Sequence, residues 1–435
     1  MKQQDRIPTS KIQRASRFVK TGMKVGGNYL KHYAKKAIQQ EVSEDELNQD
    51  NAEAIYDTLS ELKGSALKVA QMLSMDKGVL PEAFSTKFAQ AQHKAPPLSG
   101  PLIVKIFNQY FGMSPLKLYD KFEMQAAHAA SIGQVHQAEK DGKKIAVKVQ
   151  YPGVADSVVS DLNMVKPFAK QMFGWKEKDL GVYFDEVQDM LLEETDYELE
   201  LERSAYISQA CNHLPNLFFA TYYPDYSSKK VISMDWLEGM HMDQFLASNP
   251  SQEVRNKAGQ ALWDFYNFQV HELKTMHADA HPGNFLFRED GSVGILDFGC
   301  VKQLPEDFYQ NYFRLLQPGV MDDEEAFRDI CLKTSIIYDF DTPEEEKVFM
   351  GMFRDALEIV CKPFYGESFD FGDETYFNSI YDYGEQVRQS PIIRKTKAPR
   401  GAKDGIYMNR AYFGLYSILN ALKSEVKTQS YMPAL

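Results

Sequence analysis

The sequence predicts an α+β chain of two lobes, the first built on a small antiparallel sheet and the second mostly helical. Three observations carry this. Two strand patterns, Ser131 to Gln137 and Lys144 to Val149, are joined by a turn containing Asp141-Gly142, a dipeptide that favours tight hairpins. Most of the remaining chain shows apolar residues at helical spacing. Between these regimes stands a short apolar strand, Val231 to Met234, followed by Asp235-Trp236-Leu237-Glu238-Gly239, a linker in the place a hinge would occupy.

Composition sets the frame. With 435 residues, 44% of them hydrophobic and 25% charged, the chain has enough material for roughly two or three packing units of an ordinary globular protein. Cys211, Cys300, Cys331 and Cys361 are scattered with no Cys-x-x-Cys pair, which argues against a disulfide scaffold or zinc knuckle and fits a reducing, cytoplasmic setting. The apolar stretch from Tyr412 to Leu422 is broken by Ser417 and Asn420 and is shorter than the ~20 residues of a membrane span. The start lacks the apolar run of a secretory signal. The net charge of −12 hides an asymmetry, because residues 1–40 carry ten Lys or Arg against one acid, Asp5. The acidic remainder argues against general nucleic-acid binding.

Taken in order, residues 1–40 form a basic arm whose apolar residues, from Ile12 to Ala34, fall near helical spacing with Gly26 and Gly27 as a break. Three readings stand: a helix lying on anionic membrane, a solvated tail whose apolar residues pack on the body, and a mitochondrial transit peptide. From Ala52 to Met75 a stripe of Ile55, Leu59, Leu62, Ala66, Val69, Ala70 and Leu73 marks a helix. Lys68 and Gln71 share one of its faces, a pattern a plain surface would also show. In the second strand of the hairpin, Lys148 sits among Ile145, Ala146, Val147 and Val149. A Lys inside an apolar strand is costly unless paired. It is either an edge-strand Lys turned to water or a Lys held by a helix Glu against nucleotide phosphates. Helical patterns run from Asp156 to Phe173 and from Phe184 to Leu214, the second containing the acidic run Glu193 to Glu200. Some of those carboxylates must face inward if Lys148 has its partner there. Backbone groups of Asp235 and Leu237 in the linker are candidates for an adenine edge.

The chemistry is concentrated in His277-Ala278-Asp279-Ala280-His281-Pro282-Gly283-Asn284 and, just downstream, Leu296-Asp297-Phe298-Gly299. An Asp, an Asn five residues on and a second Asp at a strand end, with an Ile-Ala-Val-Lys strand far upstream, form the set that phosphoryl transfer needs. Asp279 would sit by the attacking hydroxyl, Asn284 and Asp297 would hold Mg²⁺, and Lys148 would hold the α/β-phosphates of ATP. No Gly-x-Gly-x-x-Gly loop precedes Lys148. Its place is taken by an alanine-rich loop containing Ala129, Ala130 and Ser131, whose restricted backbone should grip nucleotide differently. The Arg of the protein-kinase catalytic triplet and its Ala-Pro-Glu motif are also missing, which argues against an ordinary protein kinase.

The chain resembles the UbiB/AarF family of atypical kinases, linked to ubiquinone and isoprenoid-lipid metabolism, from about Leu62 to Leu422. The resemblance rests on Ala-Leu-Lys68-Val-Ala-Gln71, Ala-Ala-Ser131-Ile-Gly-Gln-Val-His, Ala-Val-Lys148-Val-Gln-Tyr-Pro-Gly, Glu194-Thr-Asp196-Tyr, Ala-Asp279-Ala-His-Pro-Gly-Asn284 and Leu-Asp297-Phe-Gly. It implies a bilobal protein-kinase-like fold: arm 1–40, a helical extension over 41–115 packed over the active site, an N-lobe with a helical insert over 116–237, and a helical C-lobe over 238–435. It also implies that Lys68 and Gln71 approach the nucleotide, that Glu194 and Asp196 face Lys68 or the metal, and that Glu200 pairs with Lys148. Ala70 stands where the family has Gly. His128 stands where the family usually has Ala, as a surface residue or a phosphate contact. The implied activity is Mg²⁺-dependent ATP binding with slow turnover, tied to a quinone precursor or isoprenoid lipid. A nucleotide-sensing scaffold or lipid-handling chaperone, and a small-molecule kinase, are the competing readings. Any membrane contact would be peripheral, through the basic arm.

Overall fold

The structure, a computed structural model, describes residues 11–37, 44–62, 97–130, 132–173, 177–396 and 398–429. Lys68, Gln71 and Ser131 therefore lie outside the described residues. The chain divides into two compact units, residues 1–202 with 221–236, and residues 203–220 with 237–435.

The first unit opens with α1 (Lys11–Ala37) and α2 (Glu44–Leu62), which pack through Thr21, Val25, Asn28 and His32 on one side and Asn51, Ala52, Ile55 and Leu59 on the other. Helix α1 runs unbroken through Gly26 and Gly27, where the sequence suggested a break. Helix-interior glycine costs about 1 kcal/mol relative to Ala, and the packing of α1 on α2 offsets it. Next come α3 (Gly100–Phe111) and α4 (Pro115–Leu118), then strands β1 (Lys121–Phe122), β2 (His128–Ala129), β3 (Gly133–Lys140) and β4 (Lys143–Gln150). Strand β5 (Leu217–Phe219) belongs to the second unit, and β6 (Val231–Asp235) completes the first unit's sheet. The order is β1-β3-β4-β6, all antiparallel, with β2 folded back on β3. The β3–β4 turn uses Asp141 at φ 50° and Gly142 at φ 74°, the two left-handed residues a two-residue hairpin needs. Strand β4 is central and buried on both faces from Ile145 to Gln150, so Lys148 is not an edge residue.

Helices α5 (Val154–Phe173), α6 (Glu177–Glu194) and α7 (Tyr197–Cys211) follow β4. The single helix expected over 184–214 is instead two. The break falls at Thr195-Asp196: Thr195 Oγ1 bonds back to Leu192 O at 2.7 Å, and Asp196 Oδ1 accepts from Leu199 N at 3.1 Å, capping α7. Phe107, Tyr119, Phe122, Val147, Val149, Val231 and Ile232 build the unit's core, and Tyr119 spends its hydroxyl on Ser233 Oγ at 2.8 Å.

The second unit is organised on α9 (Gln252–His271), which follows α8 (Met242–Ala247) and carries Leu262, Trp263, Phe265 and Tyr266 inward. Two small sheets flank it. Strands β7 (Thr275–His277) and β10 (Val301–Gln303) pair antiparallel, while β8 (Phe285–Phe287) pairs with β9 (Val293–Ile295), which runs parallel to β5. The rest is α10 (Glu306–Phe313), α11 (Glu324–Lys333), α12 (Pro343–Val360), α13 (Glu374–Gln389), α14 (Pro391–Lys395) and α15 (Lys403–Leu422), with an antiparallel strand pair β11 (Ser368–Asp370) and β12 (Glu425–Lys427). The four cysteines are buried free thiols. Among the described residues no helix is long and apolar enough to cross a membrane.

Candidate functional site

In the first unit the chemistry starts from Lys148. Its position on β4, between Val135 of β3 and Ile232 of β6 in register, buries the ammonium. A buried ammonium needs an opposing charge and hydrogen bonds. Lys148 Nζ donates to Glu200 Oε1 at 2.5 Å, with side chains only 6% and 5% exposed, and lies 5.2 Å from the centre of the Tyr197 ring. Glu200 sits in the first turn of α7, where a carboxylate also suits the helix dipole. The structure thus brings Lys148 and Glu200 together. Tyr197, one turn earlier, was not singled out from the sequence, although it closes the Glu194-Thr-Asp196-Tyr motif.

Glu194 is buried at the end of α6 and Asp196 is exposed at the start of α7. The turn between them is held from the sheet: Gln150 Nε2 donates to Thr195 O at 2.9 Å, and Lys230 Nζ reaches both Gln150 Oε1 and the same carbonyl. Burial pushes the Lys230 ammonium below its usual range, with Asp156 and Asp196 opposing the shift.

The alanine-rich loop is a hairpin. Ala129 pairs with Gln134, and Ala130 N donates to Gly133 O at 2.9 Å. His128 packs its ring 5.7 Å from that of Trp236, and burial lowers its pKa. Gly133 leaves no room for a side chain, since a Cβ there would stand 2.5 Å from Val149 O and 2.9 Å from Tyr197 Oη. Asp235 N donates to Thr221 O at 2.9 Å, and its carboxylate accepts from Tyr223 Oη and Thr221 N. Burial raises that carboxyl, but these hydrogen bonds outweigh it and hold it below the ordinary range.

In the second unit, the segment from His277 to Asn284 leaves β7 and enters β8 through a short 3₁₀ turn at Pro282–Asn284. Asp279 O accepts from His281 N at 2.7 Å and from Asn284 Nδ2 at 3.0 Å, and Asn284 Nδ2 also lies 3.3 Å from Asp279 Oδ2. Asp297 follows β9, and its Oδ1 accepts from Gly299 N at 2.7 Å. Three hydrogen bonds among the described residues join the Asp279 and Asp297 loops: Leu296 N donates to Asn284 O at 3.0 Å, Ala278 N donates to Cys300 O at 2.8 Å, and His277 Nε2 bonds Asp297 O at 2.6 Å. His277 is 1% exposed, and its role was not assigned from sequence. Tyr266 lies alongside. Burial, then the negative charge of Asp279, pushes its phenol well above the ordinary value, so it stays protonated.

The donor set fits a hard divalent ion. Asn284 commits its amide NH₂ to Asp279, which leaves the amide oxygen as its ligand atom, and Asp297 supplies a carboxylate. Mg²⁺ is bound by one or two such oxygens completed by phosphates and water. Among the described residues no group of three or more His, Cys, Asp or Glu makes a self-sufficient metal site, so substrate phosphates would have to complete any ion held here.

The chain is similar to known proteins over most of its length. Residues 90–330 match the model described as the ABC1 atypical kinase-like domain. The atypical kinase COQ8B, mitochondrial, of Danio rerio is 26% identical over 96% of this chain and 67% of its own length. The atypical kinase COQ8, mitochondrial, of Saccharomyces cerevisiae is 27% identical over 86% of this chain and 75% of its own. Among solved structures, the complex of Rv3197 with erythromycin from Mycobacterium tuberculosis matches with a TM-score of 0.60 and 26% identity, covering 89% of this chain and 96% of that one.

Proposed function

Because this chain belongs to the ABC1, or UbiB/AarF, family of atypical kinases, with a mixed α+β, protein-kinase-like fold, we propose that it binds Mg²⁺-ATP and turns it over in support of quinone or isoprenoid-lipid metabolism. The observation that carries the proposal is the buried Lys148–Glu200 pair, since a sheet-centred ammonium held by one carboxylate is the device that grips nucleotide phosphates in kinases. In this reading Glu200 orients Lys148 toward the α/β-phosphates. Asp279 orients the attacking hydroxyl and takes its proton. Asn284 and Asp297 would hold the Mg²⁺ that neutralises charge developing on the phosphates. Ala129, Ala130 and Ser131 would cover the phosphates, Asp235 and Leu237 would meet the adenine edge, and Lys68, Gln71, Glu194 and Asp196 would complete the nucleotide surroundings.

Helix α1 supports a peripheral contact with anionic lipid. The face opposite its packing on α2 exposes Val19 at 62%, Met23 at 67% and Leu30 at 74%, flanked by exposed Lys20, Lys24, Lys31 and Lys35. An apolar stripe edged by lysines is the composition that lies in a lipid interface. The COQ8 relatives are mitochondrial by name, and a membrane-bearing compartment is part of the proposal.

The test is nucleotide binding and turnover by the purified full chain. Mg²⁺-ATP should raise the melting temperature of the wild type and not of Asp297→Asn. Asp279→Asn should keep binding and lose turnover. Equal Mg²⁺-ATP stabilisation of Asp297→Asn and wild type would refute the metal-site reading. Intact turnover in Asp279→Asn would refute its catalytic role, and an unchanged cellular phenotype in that variant after turnover is lost would move the protein to the scaffold class.

A further inference from the structure

We propose that Gly414, in the interior of α15, is a positioning residue for the Asp279–Asn284 loop; this rests on the reading of Asp279 as catalytic. Helix α15 lies beyond residues 90–330, the part that matches the family model. It is deeply buried, with Ala411, Tyr412, Leu415 and Tyr416 inward. Glycine is a poor helix former, so a glycine in the middle of such a helix points to a demand from packing.

That demand is visible. A Cβ built at Gly414 would stand 2.6 Å from Ala280 Cβ and 2.6 Å from Ala280 O. Ala280 immediately follows Asp279 and is 2% exposed. A backbone carbonyl cannot swing aside as a side-chain end can. Relief requires that the loop or the helix retreat by about 1 Å to reach ordinary contact distance. The loop has little slack. The neighbouring Asp279 O is shared by His281 N and Asn284 Nδ2, and Asn284 O is tied to Leu296 N, one residue before Asp297. Moving Ala280 therefore moves Asp279 and Asn284 together. The bare surface of α15 at residue 414 is what lets the loop rest where these hydrogen bonds close.

Two other glycines provide matched controls. Gly405, on the same helix, has nothing within 4 Å of a built Cβ. Gly259, on α9, is as crowded as Gly414, with Ser424 Cβ at 2.6 Å, but its neighbours are Ser424 and Val426. The experiment measures kcat and KM for Mg²⁺-ATP, and the melting temperature, of the full chain carrying Gly414→Ala, Gly405→Ala, Gly259→Ala or Asp279→Asn. Gly414→Ala should lower kcat by about 10- to 100-fold, as expected for a ~1 Å misplacement of catalytic groups, with KM changed less than about threefold. Gly405→Ala should match the wild type. Gly259→Ala should lower the melting temperature and keep its kcat. The double variant Ala280→Gly/Gly414→Ala removes the methyl–methyl contact and keeps the methyl–carbonyl one. It should fold and still show reduced kcat, which covers a failure of the single variant to fold. Wild-type kcat in Gly414→Ala or in the double variant overturns the proposal. So does an equal kcat loss in Gly259→Ala, which would make the effect general destabilisation. Undiminished turnover in Asp279→Asn would instead overturn the reading of the site on which the proposal rests.

Discussion

Replacing Glu200 by Gln keeps the shape of the side chain and removes its charge, so it isolates the electrostatics of the Lys148 pair. Both partners are almost fully buried, at 6% and 5% side-chain exposure, and meet at 2.5 Å. Removing one partner of a buried pair costs about 3–5 kcal/mol, because an uncompensated charge stays behind. Two features pull this case to the low end. The glutamine carbonyl still accepts one hydrogen bond from Nζ, and the Tyr197 ring at 5.2 Å adds a cation–π attraction of roughly 1 kcal/mol. The expected loss is then about 3 kcal/mol, on the order of a 150-fold shift toward the unfolded state. Lys148→Met should lose a similar amount by taking the ammonium away from the buried Glu200 carboxylate. The double variant Lys148→Met/Glu200→Leu holds neither charge and should return to within about 1 kcal/mol of the wild type. Urea titrations followed by circular dichroism read these differences, and calorimetry with Mg²⁺-ATP reads binding, which all three variants should lose. A double variant as unstable as the two singles added together would refute the argument that charge, not packing, sets the cost. A change below about 0.5 kcal/mol in Glu200→Gln would show that Lys148 is not desolvated.

Gly133→Ala places a methyl against Val149 O and Tyr197 Oη, so it should lower stability by about 1–3 kcal/mol and weaken ATP binding; unchanged denaturation midpoint and affinity would refute the crowding. Burial, with the Lys274 ammonium beside it, holds His271 down at about 4 against an ordinary 6.5. The unfolded chain therefore takes up a proton that the fold resists, and this contribution is complete above pH 6.5 and lost as pH falls from 6.5 toward 4. It amounts to at most about 3 kcal/mol, and His271→Gln should flatten the stability slope in that window; an unaltered slope would assign it to other groups. Val19→Asp with Met23→Asp changes two side chains 62% and 67% exposed, so stability should hold within about 0.5 kcal/mol while co-sedimentation with anionic vesicles falls. Equal co-sedimentation would leave α1 without a lipid role.

Much of the architecture could be read from local chemistry. The β3–β4 hairpin was marked by Asp141-Gly142, whose left-handed angles few other dipeptides accept. The strand β6 and the linker after it were marked by an apolar run that stops at Asp235. Other elements left no such trace. Strands β7, β10, β11 and β12 are three residues each, too short for a period of two to register. The continuity of α1 through Gly26-Gly27 depends on α2, which no local pattern reports.

What the residues settled alone was the inventory: a Lys in an apolar strand, acids on a downstream helix, and the ordered Asp279, Asn284 and Asp297, because these are matters of side-chain type and spacing. The resemblance named Glu200 as the acid that pairs with Lys148, and the tertiary structure brings the two together. It does so by breaking the long helical run at Thr195, where Gln150 and Lys230, 45 and 35 residues away in the chain, capture the free carbonyl. The same holds for Gly414. A glycine in an apolar helix says nothing until the fold brings it against Ala280, since close packing is a relation between distant residues and has no signature in either one.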